Sequence, residues 1–374
     1  MRKIFFAIII ALLNFQSIAL ALEPSTYKAD KPSAQKFSHR PKNIIFLIGD
    51  GMGLSQITYG MLNAQGVSNF SRFKNIGLIK THSASEDITD SAAGATAFAT
   101  GNKSYNGAIA VDANKKPLTT ILELAEKKHL ATGLVTTCAI THATPAAFIA
   151  HQPMRNLYEE IAADFLKTDI DIFIGGGAKY FTSRKDNQNL TEQLQKNGYK
   201  IYTDEKIFFA DNYHGKTAAL LAEDHLPKMQ KGRKNYHEQA LEKALQVVSQ
   251  NKKGFFLMVE GSQIDWGGHE NDEEYIKQEV LDFDRVIGKA LDFAAKNKDT
   301  LVVVTADHET GGFALTGKNN FKTENYGAVT PKFTSKGHSA SMVPVFAYGR
   351  GAEEFSGIYE NTEIFWKMKK LLRI

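Results

Sequence analysis

The chain has 374 residues, of which 43% are hydrophobic and 23% are charged. This balance excludes a disordered acidic tail, a collagen and a low-complexity polymer. The 45 Lys and Arg residues nearly balance the 41 Asp and Glu residues, and a net charge of +4 gives no footprint for nucleic acid. We therefore expect no nucleic-acid-binding module. The length allows one large domain or two ordinary ones.

The first 21 residues have the pattern of a secretory signal peptide. Arg2 and Lys3 precede an apolar run at residues 4–13, and small residues at positions 19 and 21 offer a cleavage site. An uncleaved membrane anchor is the less favoured alternative, because the apolar run is shorter than the ~20 residues that a span needs. We expect cleavage near residue 21, a periplasmic or secreted protein without a membrane segment, and an irregular leader at residues 22–42.

The single cysteine, Cys138, excludes an internal disulfide. It follows a run of apolar and β-branched residues, Leu134 to Thr137, that predicts the end of a buried strand. We expect an inert thiol in the core. A single cysteine also argues against a thiolate metal site and against a nucleophile derived from cysteine.

Short apolar or β-branched runs alternate with longer helical patterns along the rest of the chain. The predicted strands are Asn43 to Ile48, Thr132 to Thr137, Ile170 to Ile174, Phe255 to Val259, Thr300 to Thr305 and Val343 to Ala347. The predicted helices are Leu118 to Lys128, Leu157 to Lys167, His237 to Gln250 and Glu273 to Lys296. This alternation predicts one α/β domain over residues 43–374, with a mostly parallel central sheet and helices on both faces. The polar, glycine-containing stretch 311–337 is predicted to be a long loop, either functional or poorly ordered.

A carboxylate follows the first predicted strand inside a glycine turn. Asp50 lies between Gly49 and Gly51, directly after the strand. In an open α/β sheet, ligands bind at the carboxyl ends of the strands, so Asp50 is placed to reach a metal ion or a phosphate. Gly-Asp-Gly is also common in ordinary turns, and both interpretations stay open at this point. The full glycine fingerprint of a dinucleotide site is missing.

A run of small residues that ends at Gly101 predicts a helix able to approach the sheet closely. Asp90 and Ser91 occupy its first turn. The free amides and the positive dipole end at that position favour an anion. In isolation, the same two residues also fit a simple helix cap.

Acidic and histidine residues gather after the strand Phe255 to Val259. Glu260 follows the strand directly, and Asp265 and His269 come shortly afterwards. Because Asp265 and His269 are four residues apart, a helical turn would point both the same way, where they can share one divalent ion. An ordinary polar surface turn does not require Asp, His and Glu together at the end of a strand, so this segment favours a metal site.

Two further segments add possible ligands. Asp307 and His308 follow a predicted strand and supply one oxygen and one nitrogen, a mixture that suits Zn²⁺. His338 precedes the last predicted strand and would, alone, be an ordinary surface or hydrogen-bonded residue. Two sites with three ligands each could clamp the attacking and leaving oxygens of a phosphoryl displacement. The candidates for them are Asp50, Asp265, His269, Asp307, His308 and His338.

The segment Asp90 to Thr96, with the sequence Asp-Ser-Ala-Ala-Gly-Ala-Thr, resembles the phosphorylated-serine motif of the alkaline phosphatase family. Segments in register with that family run from Asn43 to Arg155 and from Gly254 to Gly349, a little over half the chain. The resemblance implies an alkaline-phosphatase-like sandwich with a reduced or absent crown insertion. It also implies a homodimeric hydrolase that releases inorganic phosphate from varied phosphomonoesters at alkaline pH.

Carried over residue by residue, the resemblance implies Ser91 as the nucleophile and Arg155 as the residue that clamps phosphate. It further implies eight metal ligands in three sites, two for Zn²⁺ and one for Mg²⁺. One zinc site would be Asp265, His269 and His338, the other Asp50, Asp307 and His308, and the magnesium site Thr144 and Glu260, to which Asp50 also bridges.

Two residues depart from the best-known enterobacterial member of the family. That member has Asp where this chain has His142, and Lys where it has Trp266. The pair looks most like the compact enzymes of marine and cold-environment bacteria. It leaves the identity of the third-site metal open and removes a cation that could reach phosphate through water, so His142 and Trp266 are included among the substrate-binding candidates.

The resemblance implies transfer of phosphate to Ser91 and hydrolysis of the resulting phosphoserine, with the two zinc ions activating the serine hydroxyl and stabilising the leaving oxygen. A phosphodiesterase of the same superfamily would not be expected to combine Arg155 with Thr144 and Glu260. A sulfatase would need Pro and Arg after Cys138, and this chain lacks both there. A periplasmic phosphate- or zinc-binding protein would bind without turnover.

Overall fold

The computed structural model describes residues 40–317 and 328–374. The predicted signal peptide and residues 22–39 of the predicted leader lie outside the described residues. Within the described ranges, no helix combines the length and apolar character needed to cross a membrane.

A ten-stranded sheet forms the centre of the fold in the described part of the chain, with the order β14-β2-β13-β8-β1-β7-β3-β4-β6-β5. Its strands are β1 (Asn43–Gly49), β2 (Asn75–Lys80), β3 (Ala131–Ala139), β4 (Ile172–Gly176), β5 (Lys200–Tyr202), β6 (Thr217–Leu220), β7 (Phe255–Gly261), β8 (Thr300–Thr305), β13 (Val343–Gly349) and β14 (Gly357–Glu360). All neighbouring pairs are parallel except those of β13, which runs antiparallel to β2 and to β8.

Two small antiparallel pairs lie outside the central sheet. The short strand β9 (Glu309–Thr310) pairs with β12 (His338–Ser339), so that Thr310 lies opposite His338. The second pair consists of β10 (Ala314–Gly317) and β11 (Val329–Lys332). The stretch 311–337 was predicted to be a long loop, either functional or poorly ordered. That prediction is wrong for the residues of β10 and β11, where backbone pairing between distant residues forms strands. Residues 318–327 lie outside the described part.

Twelve α-helices accompany the sheet in the described residues. They are α1 (Leu54–Asn63), α2 (Ser91–Thr100), α3 (Ile121–Lys127), α4 (Ala143–Ala146), α5 (Tyr158–Asp164), α6 (Lys179–Thr182), α7 (Leu190–Lys196), α8 (Glu205–Ala210), α9 (Tyr236–Val248), α10 (Gln263–Glu270), α11 (Glu273–Lys296) and α12 (Thr362–Leu372). Every residue of β1, β3, β7 and β8 is buried. Strands buried on both faces need apolar residues at consecutive positions, which explains their continuous Val, Ile, Leu and Phe runs.

The six predicted strands and four predicted helices are all present, with small shifts at their ends. α3 begins later than predicted because Thr120 and Glu123 form a capping box that fixes its first turn. α5 ends at Asp164, and a 3₁₀ turn completes the predicted segment. The sequence did not predict β5 and β6, since a three-residue strand and the alanine-containing Thr217–Leu220 give too little local pattern.

The strand directions explain why distant residues meet at one edge of the sheet. β1, β3, β7 and β8 are parallel, so their carboxyl ends share that edge. Because β13 is antiparallel to β8, its beginning lies at the same edge. His338, a few residues before β13, is thereby brought to the residues that follow β8 and β1.

Candidate metal centre and active site

The turn after β1 brings Asp50 into the interior of the site. Asp50 is fully buried, and the next residue, Gly51, has a φ of +73°. A Cβ atom on Gly51 would lie 2.6 Å from the Cα atom of Asp265. Only glycine fits both the left-handed backbone and this close approach, so the Gly-Asp-Gly turn allows Asp50 and Asp265 to share one site.

Asp50, Asp307 and His308 form the first cluster of possible ligands. Nε2 of His308 lies 3.5 Å from Oδ1 of Asp50 and 3.3 Å from Oδ2 of Asp307. Oδ2 of Asp50 and Oδ2 of Asp307 are buried and have no hydrogen-bond partner among the described residues. Burial and the nearby Asp265 carboxylate raise the pKa of Asp307 to about 7, and burial together with Asp307 raises the pKa of Asp50 well above its usual value.

Asp265 and His338 form the second cluster of possible ligands, together with His308 of the first cluster, and His269 lies against Asp265 and His338. Nε2 of His269 lies 3.3 Å from Oδ2 of Asp265, and Nε2 of His338 lies 3.5 Å from Oδ1. The two Nε2 atoms are 3.2 Å apart, and each Nδ1 faces a backbone carbonyl, that of Lys336 for His269 and that of Thr89 for His338. A carbonyl at Nδ1 fixes the tautomer that leaves Nε2 free to bind a metal.

The electrostatics of the second cluster favour charged side chains. Burial opposes ionisation of Asp265, but hydrogen bonds from His269 and His338 outweigh it and hold the pKa of Asp265 well below its usual range. The same hydrogen bond to Asp265 raises the pKa of His269 to about 9.

The two clusters are immediate neighbours. The rings of His308 and His338 stack with centroids 3.5 Å apart. The hydroxyl of Thr310 donates to Oδ1 of Asp265 at 2.5 Å and lies 3.2 Å from Nδ1 of His308. The structure therefore brings together all six strand-end candidates.

Ser91 lies at the first cluster, at the start of α2. Asp90 is the N-cap of this helix, and its carboxylate accepts the backbone N–H of Ala93 at 3.0 Å. The capping role thus belongs to Asp90, and the Ser91 hydroxyl is left to face the cluster. Its Oγ lies 3.3 Å from Nε2 of His308 and 3.5 Å from Oδ1 of Asp50. The positive end of α2 favours negative charge beside this hydroxyl.

Arg155 lies beside the Ser91 helix and holds an ion pair. Its Nη1 donates to Oδ2 of Asp90 at 2.9 Å, and its Nη2 is 3.3 Å from Nε2 of His142. Burial works against the charged guanidinium, but Asp90 outweighs it and raises the pKa of Arg155. Arg155 is therefore a fixed cation next to Ser91.

A third group of polar atoms lies behind Asp50. Glu260, at the end of β7, is fully buried and its Oε1 has no hydrogen-bond partner among the described residues. The buried hydroxyl of Thr144, on α4, is likewise unpartnered. Oε2 of Glu260 accepts a hydrogen bond from Thr136 and lies 3.6 Å from Sγ of Cys138. Cys138 is buried at the end of β3, as predicted, and its Sγ faces this polar group.

His142 and Trp266 lie together with a histidine that sequence reasoning missed. The ring of His225 is 4.8 Å from that of Trp266 and 5.7 Å from that of His142, both edge to face. Nδ1 of His225 accepts the backbone N–H of Ala139 at 3.0 Å. His225 lies in a loop after β6, and no spacing in the sequence relates it to the other site residues.

Glu309 was also missed, although it directly follows two predicted site residues, Asp307 and His308. It is buried, and its Oε1 accepts from Nε2 of Gln56 at 2.8 Å and from the backbone N–H of Phe313 at 2.9 Å. Its Oε2 accepts a hydrogen bond from Ser339, the neighbour of His338. The Asp-His-Glu run drew attention to the first two residues, but only the fold shows that the third joins β9 to β12.

The donor set fits divalent cations. Four buried oxygens that find no hydrogen-bond partner in the described part of the chain, from Asp50, Asp307, Glu260 and Thr144, lie at one edge of the sheet. Buried carboxylates without compensation are costly, and their raised pKa values express that cost. Carboxylate and imidazole groups are ligands of Zn²⁺, and carboxylate and hydroxyl oxygens suit Mg²⁺.

A family model described as alkaline phosphatase matches residues 41–332 and 328–374, which is nearly the whole described chain. The chain belongs to the alkaline phosphatase family. Alkaline phosphatase 4 of Bacillus subtilis (strain 168) is 35% identical, over 90% of this chain and 90% of that protein. The enzyme is thus an alkaline phosphatase, a metal-dependent hydrolase of phosphomonoesters.

Solved structures agree with this assignment and with the fold. The alkaline phosphatase from the Antarctic bacterium TAB5 is 49% identical with a TM-score of 0.85, and the match covers 89% of this chain and 99% of that one. A histidine-to-aspartate variant of the TAB5 enzyme, 48% identical with a TM-score of 0.84 over 90% of this chain and 99% of that one, has Mg bound in a site named M3. The compact α/β fold with a mostly parallel sheet is therefore shared with this enzyme.

Proposed function

We propose that the enzyme hydrolyses varied phosphomonoesters at alkaline pH through a phosphoserine on Ser91. The observation that carries the proposal is the position of the Ser91 hydroxyl, which lies at the positive end of α2 and within 3.5 Å of both Asp50 and His308. A hydroxyl in this environment is set to attack phosphorus, because both a helix end and neighbouring ligands for cations stabilise negative charge there.

We propose two zinc sites and one magnesium site with the ligands that the sequence implied. When bound, the zinc ions would lower the pKa of the attacking hydroxyl and stabilise the leaving oxygen. Asp265, His269 and His338 would hold one zinc ion, and Asp50, Asp307 and His308 the other. Thr144 and Glu260, with Asp50, would hold Mg²⁺, and their unpartnered buried oxygens support this role.

Arg155 is proposed to bind the phosphate itself. The Asp90 carboxylate accepts from Nη1 and holds the guanidinium beside Ser91. Equatorial phosphate oxygens would bind its remaining N–H groups, with Nη2 giving up its contact with His142. His142 and Trp266 are proposed to border the substrate on the same side. Because these groups recognise phosphate and not the alcohol, they support a broad range of monoesters as substrates.

The test is the Ser91→Ala variant, assayed for phosphate release from an aryl phosphomonoester at alkaline pH. Loss of the nucleophile should reduce kcat by about 10³-fold or more, while the bound zinc stays near the wild-type amount. Acid quenching during turnover should trap a phosphoserine in the wild type alone. Ser71→Ala, at an exposed serine, is the matched control. Near-wild-type turnover of Ser91→Ala would refute the proposal.

The same preparation separates the rival activities. A phosphodiesterase would turn over an aryl phosphodiester faster than the monoester, and a sulfatase would release sulfate from an aryl sulfate. A phosphate- or zinc-binding protein would bind without turnover. Chelation should abolish the monoesterase activity, and restoring Zn²⁺ and Mg²⁺ together should recover it.

We also propose export to the periplasm or medium, a single catalytic domain at residues 43–374, and a homodimer. These proposals are supported by the N-terminal sequence pattern and by the family. N-terminal sequencing of the exported protein would test cleavage near residue 21, and light scattering of the purified enzyme would test the dimer.

A further inference from the structure

The third group of polar atoms contains softer donors than oxygen. Cys138, His142 and Glu260 each offer a ligand atom, and these atoms all lie within 4.8 Å of one another. Ligand atoms bonded at 2.0–2.3 Å to one tetrahedral ion are roughly 3.3–3.8 Å apart, so side-chain adjustments of about 1 Å would bring the three to bonding positions.

The backbone of β3 explains why the thiol faces this pocket. Thr136 and Cys138 are two residues apart, so their side chains point to the same face of the strand. Thr136 lies opposite Glu260 in the β3–β7 register, and its hydroxyl is 3.1 Å from Sγ of Cys138. The pairing of β3 with β4 is irregular between Val135 and Ala139, and such irregularities redirect side chains.

His142 provides the second observation that points to a ligand. It is only 7% exposed, and its Nδ1 is buried without a hydrogen-bond partner among the described residues. Its Nε2 lies 3.3 Å from Nη2 of Arg155. Coordination through Nδ1 leaves the ring proton on Nε2, so this contact with Arg155 has to lengthen when an ion binds. Binding of phosphate by Arg155 would favour the same movement.

We propose that Cys138, His142 and Glu260 form a cation site that takes a borderline ion such as Zn²⁺ or Co²⁺. One sulfur, one nitrogen and one carboxylate oxygen suit these ions, whereas Mg²⁺ requires oxygen ligands. The new metal–sulfur bond replaces the S–H bond of Cys138, and the proton passes to solvent. The site rests on the proposed function only in sharing Glu260 with the magnesium site, so the two ions are alternatives.

Cobalt spectroscopy tests the site directly, because Cys138 is the single cysteine of the chain. Metal-free protein is titrated with Co²⁺ alone, and the intense near-ultraviolet absorption of thiolate-bound Co²⁺ is recorded against the number of ions bound. We expect this band to appear with the third equivalent. The oxygen and imidazole ligands of the other two sites cannot produce it.

Cys138→Ser should abolish the band and weaken binding of the third ion. The loss of affinity should be at least about 10–100-fold, because losing an outer-shell partner already costs that much and Cys138 is proposed as a direct ligand. Ser91→Ala is the matched control and should keep the band while losing turnover, so failure of this site is distinguishable from failure of the proposed reaction. X-ray absorption of the zinc-loaded wild type should show sulfur at about 2.3 Å and needs no variant. Three bound ions without either sulfur signature, or binding of only two ions, would overturn the proposal.

Discussion

Some residues of this enzyme face the site directly, and others act on it through a neighbouring residue. Ser91, Asp50 and His308 face one another within 3.5 Å, whereas Glu309 reaches the site only through its neighbours. Its carboxylate joins the Gln56 side chain on α1 to Ser339 on β12. Because Glu309 follows His308 and Ser339 follows His338, this bridge fixes the spacing of two proposed zinc ligands. Glu309 is therefore a positioning residue.

The Glu309→Ala variant should lose zinc affinity by about 10–100-fold, as expected for an outer-shell partner, while excess Zn²⁺ restores most of kcat. Zinc affinity is measured by competition with a chelator of known strength. Glu309→Gln should recover much of the affinity, because its amide oxygen can still accept from Gln56 and Phe313. Glu363→Ala, at an exposed position on α12, is the control. Unchanged zinc affinity in Glu309→Ala would contradict the assignment of Glu309 as a positioning residue.

At the scale of elements, a buried charge network links α9, α11 and the loop before α9. The guanidinium of Arg233 is almost fully buried, donating to Glu279 and, at 3.0 Å, to Oδ2 of Asp282. His237 on α9 lies 3.4 Å from the same Asp282 oxygen. Breaking a buried pair is far more destabilising than breaking an exposed one, because a charge is left without compensation.

Replacing Arg233 with Met should therefore lower the free energy of unfolding by about 3–5 kcal/mol. Arg285→Met is the matched control, because Arg285 pairs with Asp282 and Glu238 from a partly exposed position and should cost less than about 1 kcal/mol. Equilibrium denaturation of both variants provides the comparison. Equal losses of unfolding free energy in the two variants would show that burial does not determine how strongly the Arg233 network stabilises the fold.

The contact between α3 and the loop before β4 contains the side chain of Glu126, and burial there opposes ionisation of its carboxyl group. Burial raises the pKa of Glu126 from 4.5 to about 7, against hydrogen bonds from the Asp169 backbone and the Thr132 hydroxyl. The folded state therefore holds more protons than the unfolded state between these pH values, and stability is lost as pH rises from 4.5 to 7.

The Glu126→Gln variant should not show this loss of stability with rising pH. Relative to the variant, the wild type should lose about 1–2 kcal/mol of unfolding free energy as pH rises through that window, after allowance for solvent screening. Denaturant titrations at several pH values measure the difference, with Glu223→Gln at an exposed position as control. A difference that is independent of pH would contradict the assignment.

Across the whole molecule, the central sheet gathers like charges from distant parts of the chain. Asp50, Asp307 and Glu260 all have raised pKa values because the fold buries them side by side. Cations would offset this repulsion, so folding and metal binding should be coupled.

The metal-free enzyme should become less stable as pH rises from about 6 to 8, by about 1–3 kcal/mol. The sign follows from Asp307, raised from 3.8 to about 7, and from His269, raised from 6.5 to about 9, since the folded state holds extra protons in both cases. Chemical denaturation of chelated and metal-loaded enzyme at both pH values tests this. The loaded enzyme should show the smaller change, and a chelated enzyme that gained stability with pH would contradict the prediction.

The sequence by itself determined the fold class and the positions of the main buried strands. Strands buried on both faces require consecutive apolar residues, so Asn43–Gly49 and Phe255–Gly261 are visible without a structure. Chemistry-bearing residues directly after such strands are visible too, which is how Asp50, Asp307 and His308 became candidates. The family followed from the motif around Ser91.

The tertiary structure decided what depends on neighbours distant in the chain. Strand pairing at β9, β10, β11 and β12 comes from partners too remote for a local pattern to show. The roles of His225 and Glu309, and the orientation of Cys138 toward Glu260, depend on which strands lie side by side and in which register. A sequence records which donors are present, but the distances between them arise from packing, and those distances decide which ions and reactions they can serve.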